Sequence, residues 1–344
     1  MAAAALTLLA AMGAPKLITF DATGTLMRLR RPMGNSYRDA LISSLSARKL
    51  MRGSPLDADE LAAFDVEPAA IALGFGVAYK AQCAELKCFG SGRISSRDWW
   101  STVVSNTFVQ AGVRQTVVER EMPSVFGALY SDFGSSANWE LMDASAGVVQ
   151  QIARWRAQLP VGELKLGVIS NFDDRLPGLL ASLGIADLFD FIITSHAHGQ
   201  EKPCASIFDL ARERAGLSAE DVSPSTCVHV GDTFKNDIVG ATAAGWRAIF
   251  LASDADLGKL DPALFGVMGE TPHERVPTLG FIPRVIGAPA ITALPTDGES
   301  DPANQAALKK AKVELDDPHA DEGDEDGESA WFLGLRDDVP QKGR

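Results

Sequence analysis

Residues 16–26 read KLITFDATGTL, and this stretch decides the fold. Lys16 to Phe20 is a short apolar run that ends in Asp21, and Gly24 and Thr25 follow, so a strand gives way at once to a tight turn. The same pattern recurs downstream. LKLGVI, residues 164–169, ends in Ser170, and CVHV, residues 227–230, ends in Gly231 and Asp232. Phe191 to Thr194 and Trp246 to Leu251 read as further strands. Helical spacing marks Gly147 to about Leu159, Leu176 to Leu183, Ile207 to Ala215 and Ile238 to Ala244. Strands alternating with helices predict an α/β, Rossmann-like parallel sheet with helices on both faces. Polar side chains cluster just past the carboxyl ends of these strands, where open α/β sheets place ligands.

Between the first strand and Gly147 the rhythm differs. Residues 28 to about 142 read as mostly helical, with apolar positions three or four apart in Arg38 to Ile42, Ala69 to Gln82, Asp98 to Gln110 and Glu119 to Phe133. Ser96, ahead of Arg97-Asp98-Trp99-Trp100, is a candidate N-cap. Arg48 to Asp59 is polar, contains Gly53 and Pro55, and reads as a loop. Trp99 and Trp100 diverge by about 100° on a helix, which predicts that at least one is core.

The 344 residues are 46% hydrophobic and 22% charged, ordinary for a soluble globular chain long enough for a sizeable core. The net charge of −13 argues against nucleic acid or an anionic membrane as main partner. Much of that excess sits in Asp297 to Arg344, which holds 14 Asp and Glu against 6 Lys and Arg. Beyond about Ala288 the chain is rich in Pro, Asp, Glu and Gly, and Asp321 to Glu328 is too acidic to build a core, so residues 289–344 are expected to form a disordered acidic tail. Trp331 to Leu335 is either a docking motif of that tail, partner unknown, or a stray apolar patch. Cys83, Cys88, Cys204 and Cys227 form no CxxC pair and no zinc spacing. They read as reduced thiols of a cytoplasmic protein, the nucleus left open. MAAAALTLLAAMGAP, residues 1–15, has no Arg or Lys, unlike a secretory or mitochondrial leader, and reads as an N-terminal extension. No later stretch is long and apolar enough to span a bilayer.

Four separated segments carry chemistry: Asp21 to Leu26, Val168 to Asn171, Glu201-Lys202-Pro203, and Val230 to Asp237 (VGDTFKND). Each alone has an ordinary reading, as a turn former, a helix cap, a loop or a helix N-terminus. Finding all four in this order, each in its strand-end context, is what the ordinary readings do not explain.

That order resembles the haloacid dehalogenase superfamily, and the resemblance implies roles. Asp21 would attack phosphorus and form an aspartyl-phosphate. Ser170, with Asn171, would hold the phosphoryl group, and Lys202 would neutralise both the nucleophile and the developing charge. Asp21, Asp232 and the backbone carbonyl of Thr23 would hold Mg²⁺, with Asp237 supporting that shell. Further matches run from Arg28-Leu-Arg-Arg-Pro32 through Val66-Glu-Pro68, Ala78 to Gln82, Ser96 to Trp100, Thr107 to Val113 and Leu129 to Phe133. These look like one branch, the haloacid dehalogenase-like hydrolase domain-containing protein 3 or Reg-2-like group. The similarity covers roughly Lys16 to Pro283. It implies a core of residues 16–26 and 143–288 and a C1-type helical cap inserted at 27–142.

One departure bears on activity. Phosphatases of the superfamily carry a second Asp two residues after the nucleophile, as general acid and base. This chain has Thr23 there, which cannot serve that role at neutral pH, so turnover is expected to be slow. P-type ATPases of the superfamily share the Thr. Cys204 replaces a common Asp after Lys-Pro, a change read as structural. Arg28, Arg30, Arg31 and Arg38 form either a basic rim or solvated hinge charge, and His196 and His198 read as loop histidines.

The reading is therefore a Mg²⁺-dependent phosphatase or phosphotransferase acting on a small phosphorylated metabolite, with no nucleic-acid or membrane partner. The alternative is a weakly active or inactive binding or scaffold protein. Third in order is a haloacid dehalogenase, because a halide substrate brings no phosphate to complete a Mg²⁺ shell.

Overall fold

The computed structural model describes residues 14–289 apart from 54, 259 and 261–263. The expectations for the first residues, and for the acidic segment with its Trp331 motif, lie outside the described residues.

The main sheet is built from β1 (Leu17–Phe20), β4 (Lys165–Ser170), β5 (Phe191–Thr194), β6 (Cys227–Gly231), β7 (Arg247–Leu251) and β8 (Glu274–Val276). They stand in the order β5-β4-β1-β6-β7-β8, and every pairing is parallel. This is the α/β, Rossmann-like architecture that the alternating pattern predicts. β1, β4 and β6 are buried almost throughout because both faces are covered, as parallel strands require. The period-two geometry of a strand divides the core. Ile18, Phe20, Val168, Val230 and Ile249 join one apolar cluster, while Leu17, Ile169, Cys227, Ala248 and Phe250 join the other. From β1 the chain builds outward through β4 and β5, then crosses back to β6 on the other side. The carboxyl ends of β1, β4 and β6 therefore meet at a topological switch point.

Between β1 and β4 the chain leaves and returns through a small antiparallel pair, β2 (Met27–Leu29) and β3 (Trp139–Leu141). Three-residue strands at this junction were not legible within a region that reads as mostly helical. The pair encloses α1 (Met33–Arg52), α2 (Ala58–Phe64), α3 (Pro68–Glu85), α4 (Ser96–Gln110) and α5 (Gln115–Asp132). Their shared interior is aromatic. Tyr37 packs edge-on against Phe75, and Phe75 stacks with Tyr79 and Trp100. Both Trp99 and Trp100 are buried. The 100° divergence is accommodated because each indole N–H finds its own acceptor, the Leu86 carbonyl for Trp99 and Asp173 for Trp100.

Two local expectations are corrected. Arg48 to Asp59 is not one loop: α1 continues to Arg52, ends at Gly53 with φ +64°, and α2 begins at Ala58. The stretch reads as a loop because Leu50 and Met51 point to solvent and Arg48 is spent on buried Glu121, so the apolar face is interrupted. Asp57 and Glu60 then close a reciprocal capping box on α2. On α4 the N-cap is Ser95, whose hydroxyl accepts from the Asp98 N–H, and Ser96 is the first helical residue.

Candidate active site

Asp21 directly follows β1, Ser170 ends β4, and Asp232 directly follows β6, so the switch point of the sheet gathers all three. The Asp21 N–H is tied to the Val230 carbonyl of β6. Gly24 turns the chain behind it at φ +78°, a left-handed conformation costly to other residues. A Cβ on Gly24 would lie 2.2 Å from Asp232 Oδ2, so the bare backbone is what lets that carboxylate approach. Gly231 does the same for Asp237, with 2.2 Å from a virtual Cβ to Cγ. The two glycines thus make room for the two acidic residues that follow β6.

Lys202 occupies the centre. Its ammonium donates to Asp21 Oδ1 at 2.6 Å, to Asp237 Oδ1 at 2.6 Å and to the Ile169 carbonyl at 2.7 Å. All three N–H groups are committed, and the side chain is almost completely buried. The residue is steered there by Asn171, whose side-chain carbonyl accepts from the Lys202 N–H at 2.7 Å and whose amide donates to the Lys202 carbonyl at 3.0 Å. Asn171 was expected to touch phosphate. It lines the cavity, and its side-chain amide brackets the lysine backbone. Ser170 bonds the Asp21 carboxylate.

Asp21, Asp232 and Asp237 bring carboxylate oxygens within 4.8 Å of one another. Their electrostatics differ. Burial, aided by the Asp237 charge, raises Asp21 to about 6 despite Lys202. Burial and both neighbouring carboxylates push Asp232 well above the usual range. Asp237 is also buried, but Lys202 and a hydrogen bond from His229 hold it down at about 2. One cation among three carboxylates leaves local negative charge uncompensated.

Asp21, Thr23, Ser170, Asn171, Lys202 and Asp237 line one small cavity. The Thr23 hydroxyl is buried there without a hydrogen-bond partner. Three further groups belong to the site and were not singled out from sequence. Thr233 and Asn236 line the same cavity, and the Thr233 N–H donates to Asp237 Oδ2 at 2.8 Å. Thr25 reaches Asp232 Oδ1 at 3.3 Å. All three lie inside the quoted segments, so proximity to the acidic residues was the available signal. His196 and His198 do not line the cavity; they end a short helix, Ser195–His198, where His198 bonds Ser206. Arg28, Arg30 and Arg31 pair with Glu140, Glu140 and Asp39. Arg38 donates to the Phe64 and Val66 carbonyls.

The haloacid dehalogenase-like hydrolase family matches residues 15–245. Human haloacid dehalogenase-like hydrolase domain-containing protein 3 is 33% identical over 269 residues, 78% of this chain and 92% of that protein. The rhythmically expressed gene 2 protein of Drosophila melanogaster is 29% identical over 236 residues, 68% of this chain and 81% of its own length. Among solved structures, a 2-haloacid dehalogenase from Pseudomonas syringae superposes with a TM-score of 0.46 at 21% identity, over 79% of this chain and 98% of that one.

Proposed function

This chain belongs to the haloacid dehalogenase-like hydrolase family, and from that premise we propose that it is a Mg²⁺-dependent phosphatase or phosphotransferase acting on small phosphorylated metabolites in the cytoplasm. The observation that carries the reading is Lys202 shared between Asp21 and Asp237 beside a third carboxylate.

A hard divalent cation fits this donor set. Three carboxylates converge, and two of them are raised by burial and by the neighbouring carboxylate charge despite the single ammonium of Lys202. Asp21 and Asp232 are the residues to hold Mg²⁺, with Asp237, pinned by Lys202, in support. When bound, Mg²⁺ would offset charge on the phosphoryl oxygens. The chain's own residues do the rest. The Asp21 carboxylate attacks phosphorus, the bond from phosphorus to the ester oxygen breaks, and the departing oxygen takes a proton from water. Lys202 keeps the nucleophile ionised and oriented. Water then attacks the aspartyl-phosphate, releasing phosphate and restoring Asp21. The inserted helices α1–α5 contact the loop that follows β4, at the carboxyl ends of the strands, and there act as a lid that limits substrate size and bulk water. Four cysteines that are all free support the cytoplasmic assignment. No single described helix is long and apolar enough to cross a membrane.

Thr23 favours a second reading. Its hydroxyl replaces the carboxylate that would protonate the leaving oxygen and activate water, which suits a binding protein of low turnover. The deciding experiment is a phosphatase screen over phosphorylated metabolites with and without Mg²⁺. Metal-dependent release of phosphate supports the enzyme. No turnover on any substrate, together with no trapping of Asp21 by beryllium fluoride, gives the second reading precedence.

A further inference from the structure

His229 is a polar residue in an otherwise apolar strand, and it is completely buried. It stands on β6 directly in register with Thr19 on β1, so both side chains leave the same face of the sheet. The ring fits edge-on against Phe208, which packs in turn on Trp246. Packing alone would be served by valine or leucine. A buried imidazole persists only where both nitrogens are satisfied, and here they are: Nδ1 lies 2.8 Å from the Thr19 hydroxyl and Nε2 lies 3.2 Å from Asp237 Oδ1.

We propose that Thr19 and His229 form a positioning pair beneath the site, which fixes the orientation of Asp237 and, through it, the aim of Lys202 at Asp21. The proton arrangement follows from the partners. An ionised carboxylate only accepts, so Nε2 carries the hydrogen that faces Asp237. In the neutral ring Nδ1 then accepts, and the Thr19 hydroxyl donates to it. The other acceptor open to that hydroxyl, the Val228 carbonyl, is farther away at 3.3 Å. Asp237 is consequently held on every side: Oδ1 by Lys202 and His229, Oδ2 by the Thr233 N–H. Loss of the imidazole frees Oδ1 to rotate, and Lys202 loses one of its three fixed acceptors. His229 touches neither substrate nor nucleophile and acts only through Asp237.

The kinetic part of the test rests on the phosphoryl-transfer reading; the spectroscopic part does not. Full-length protein labelled with ¹⁵N-histidine should show His229 neutral, with Nε2 protonated. In Thr19→Val the Nδ1 signal should move toward that of an unbonded ring nitrogen. In aryl phosphate hydrolysis with Mg²⁺, His229→Phe should lose roughly tenfold to a hundredfold in kcat, the usual scale for groups that orient a site from behind. His229→Gln, which can still donate an amide N–H to Asp237, should recover most of that loss, with KM within about twofold throughout. A protonated Nδ1 in the wild type, wild-type kcat in His229→Phe, or a Gln variant as impaired as the Phe variant would each overturn the pair. If the wild type hydrolyses no phosphate ester, the phosphatase reading fails, and the nitrogen spectra of the wild type and Thr19→Val still decide the pair.

Discussion

The indole N–H of Trp100 donates to Asp173 Oδ2 at 2.7 Å, across the boundary between the inserted helices and the sheet. Trp100 belongs to α4, and Asp173 lies three residues beyond Ser170. Arg175 closes the contact from the other side: it is paired with Asp173, stacked 4.3 Å from the Tyr130 ring centroid, and bonded to the Tyr130 carbonyl. Ser96 adds a bond to Asp174. The position of the inserted helices is thereby tied to the loop that follows β4.

Trp100→Phe should keep most of the aromatic packing and remove only this donor. A net loss of about 1–3 kcal/mol in urea denaturation is expected for a hydrogen bond to a buried carboxylate. Amides of residues 172–175 should also exchange faster. Unchanged stability and exchange would show that Arg175 alone holds Asp173.

Lys202→Met leaves Asp21 and Asp237 buried without their cation. Breaking a buried ion pair by removing one partner costs about 3–5 kcal/mol, and these groups are too enclosed for solvent to screen the loss. Turnover should vanish. Added Mg²⁺ should restore part of the stability but none of the activity. Denaturation with and without Mg²⁺ measures both effects, and a wild-type midpoint in the metal-free variant would refute the charge accounting.

Metal binding should depend on pH with a definite sign. Asp21 is raised to about 6 and Asp232 well above the usual range, so both hold protons in acid that a cation must displace. A carboxyl raised on folding favours the folded state at low pH, and that contribution is lost as pH climbs through about 6. Mg²⁺ affinity, and the stability it confers, should therefore rise between about pH 5 and pH 8 with release of protons. Asp237, held at about 2, stays ionised throughout. Asp232→Ala should abolish binding. Calorimetry in buffers of differing ionisation enthalpy tests all three points, and pH-independent affinity would contradict them.

Gly24→Ala should weaken Mg²⁺ binding by more than tenfold through displacement of Asp232, whose Oδ2 lies 2.2 Å from the new methyl position. Backbone strain of about 1–2 kcal/mol accompanies it. Gly184→Ala is the control, with a similar φ of +77° and open space at its Cβ. Equal Mg²⁺ affinity in the two variants would show that the clash with Asp232 is relieved at no cost.

Thr23→Asp should accelerate turnover by more than about tenfold, or roughly 1.4 kcal/mol off the barrier, by supplying the missing acid and base. Asp21→Asn should be inactive in either background, since an amide cannot take the phosphoryl group. Steady-state hydrolysis of acetyl phosphate and an aryl phosphate by the four proteins provides the comparison. An essential Asp21 with no gain from Thr23→Asp would mean that another group already provides proton transfer.

The sequence by itself determined the parallel sheet, because buried strands with both faces covered must be apolar along their whole length, and it placed Asp21, Ser170 and Asp232 at strand ends because turns there are encoded by adjacent residues. Even the role of Gly24 was half legible, as a turn. The tertiary structure alone decided who partners whom. Asp21 and Lys202 are 181 residues apart, and Thr19 and His229 are 210 apart. Nothing in the local pattern says that the lysine's three donors are all taken, that Asn171 brackets its backbone, or that a histidine inside an apolar strand faces Asp237. Likewise the Arg48–Asp59 segment reads as a loop until the burial of Glu121 explains its polar face. Short-range steric preference is written residue by residue. Charge compensation is not, because it depends on which distant groups the assembled sheet brings within hydrogen-bonding reach.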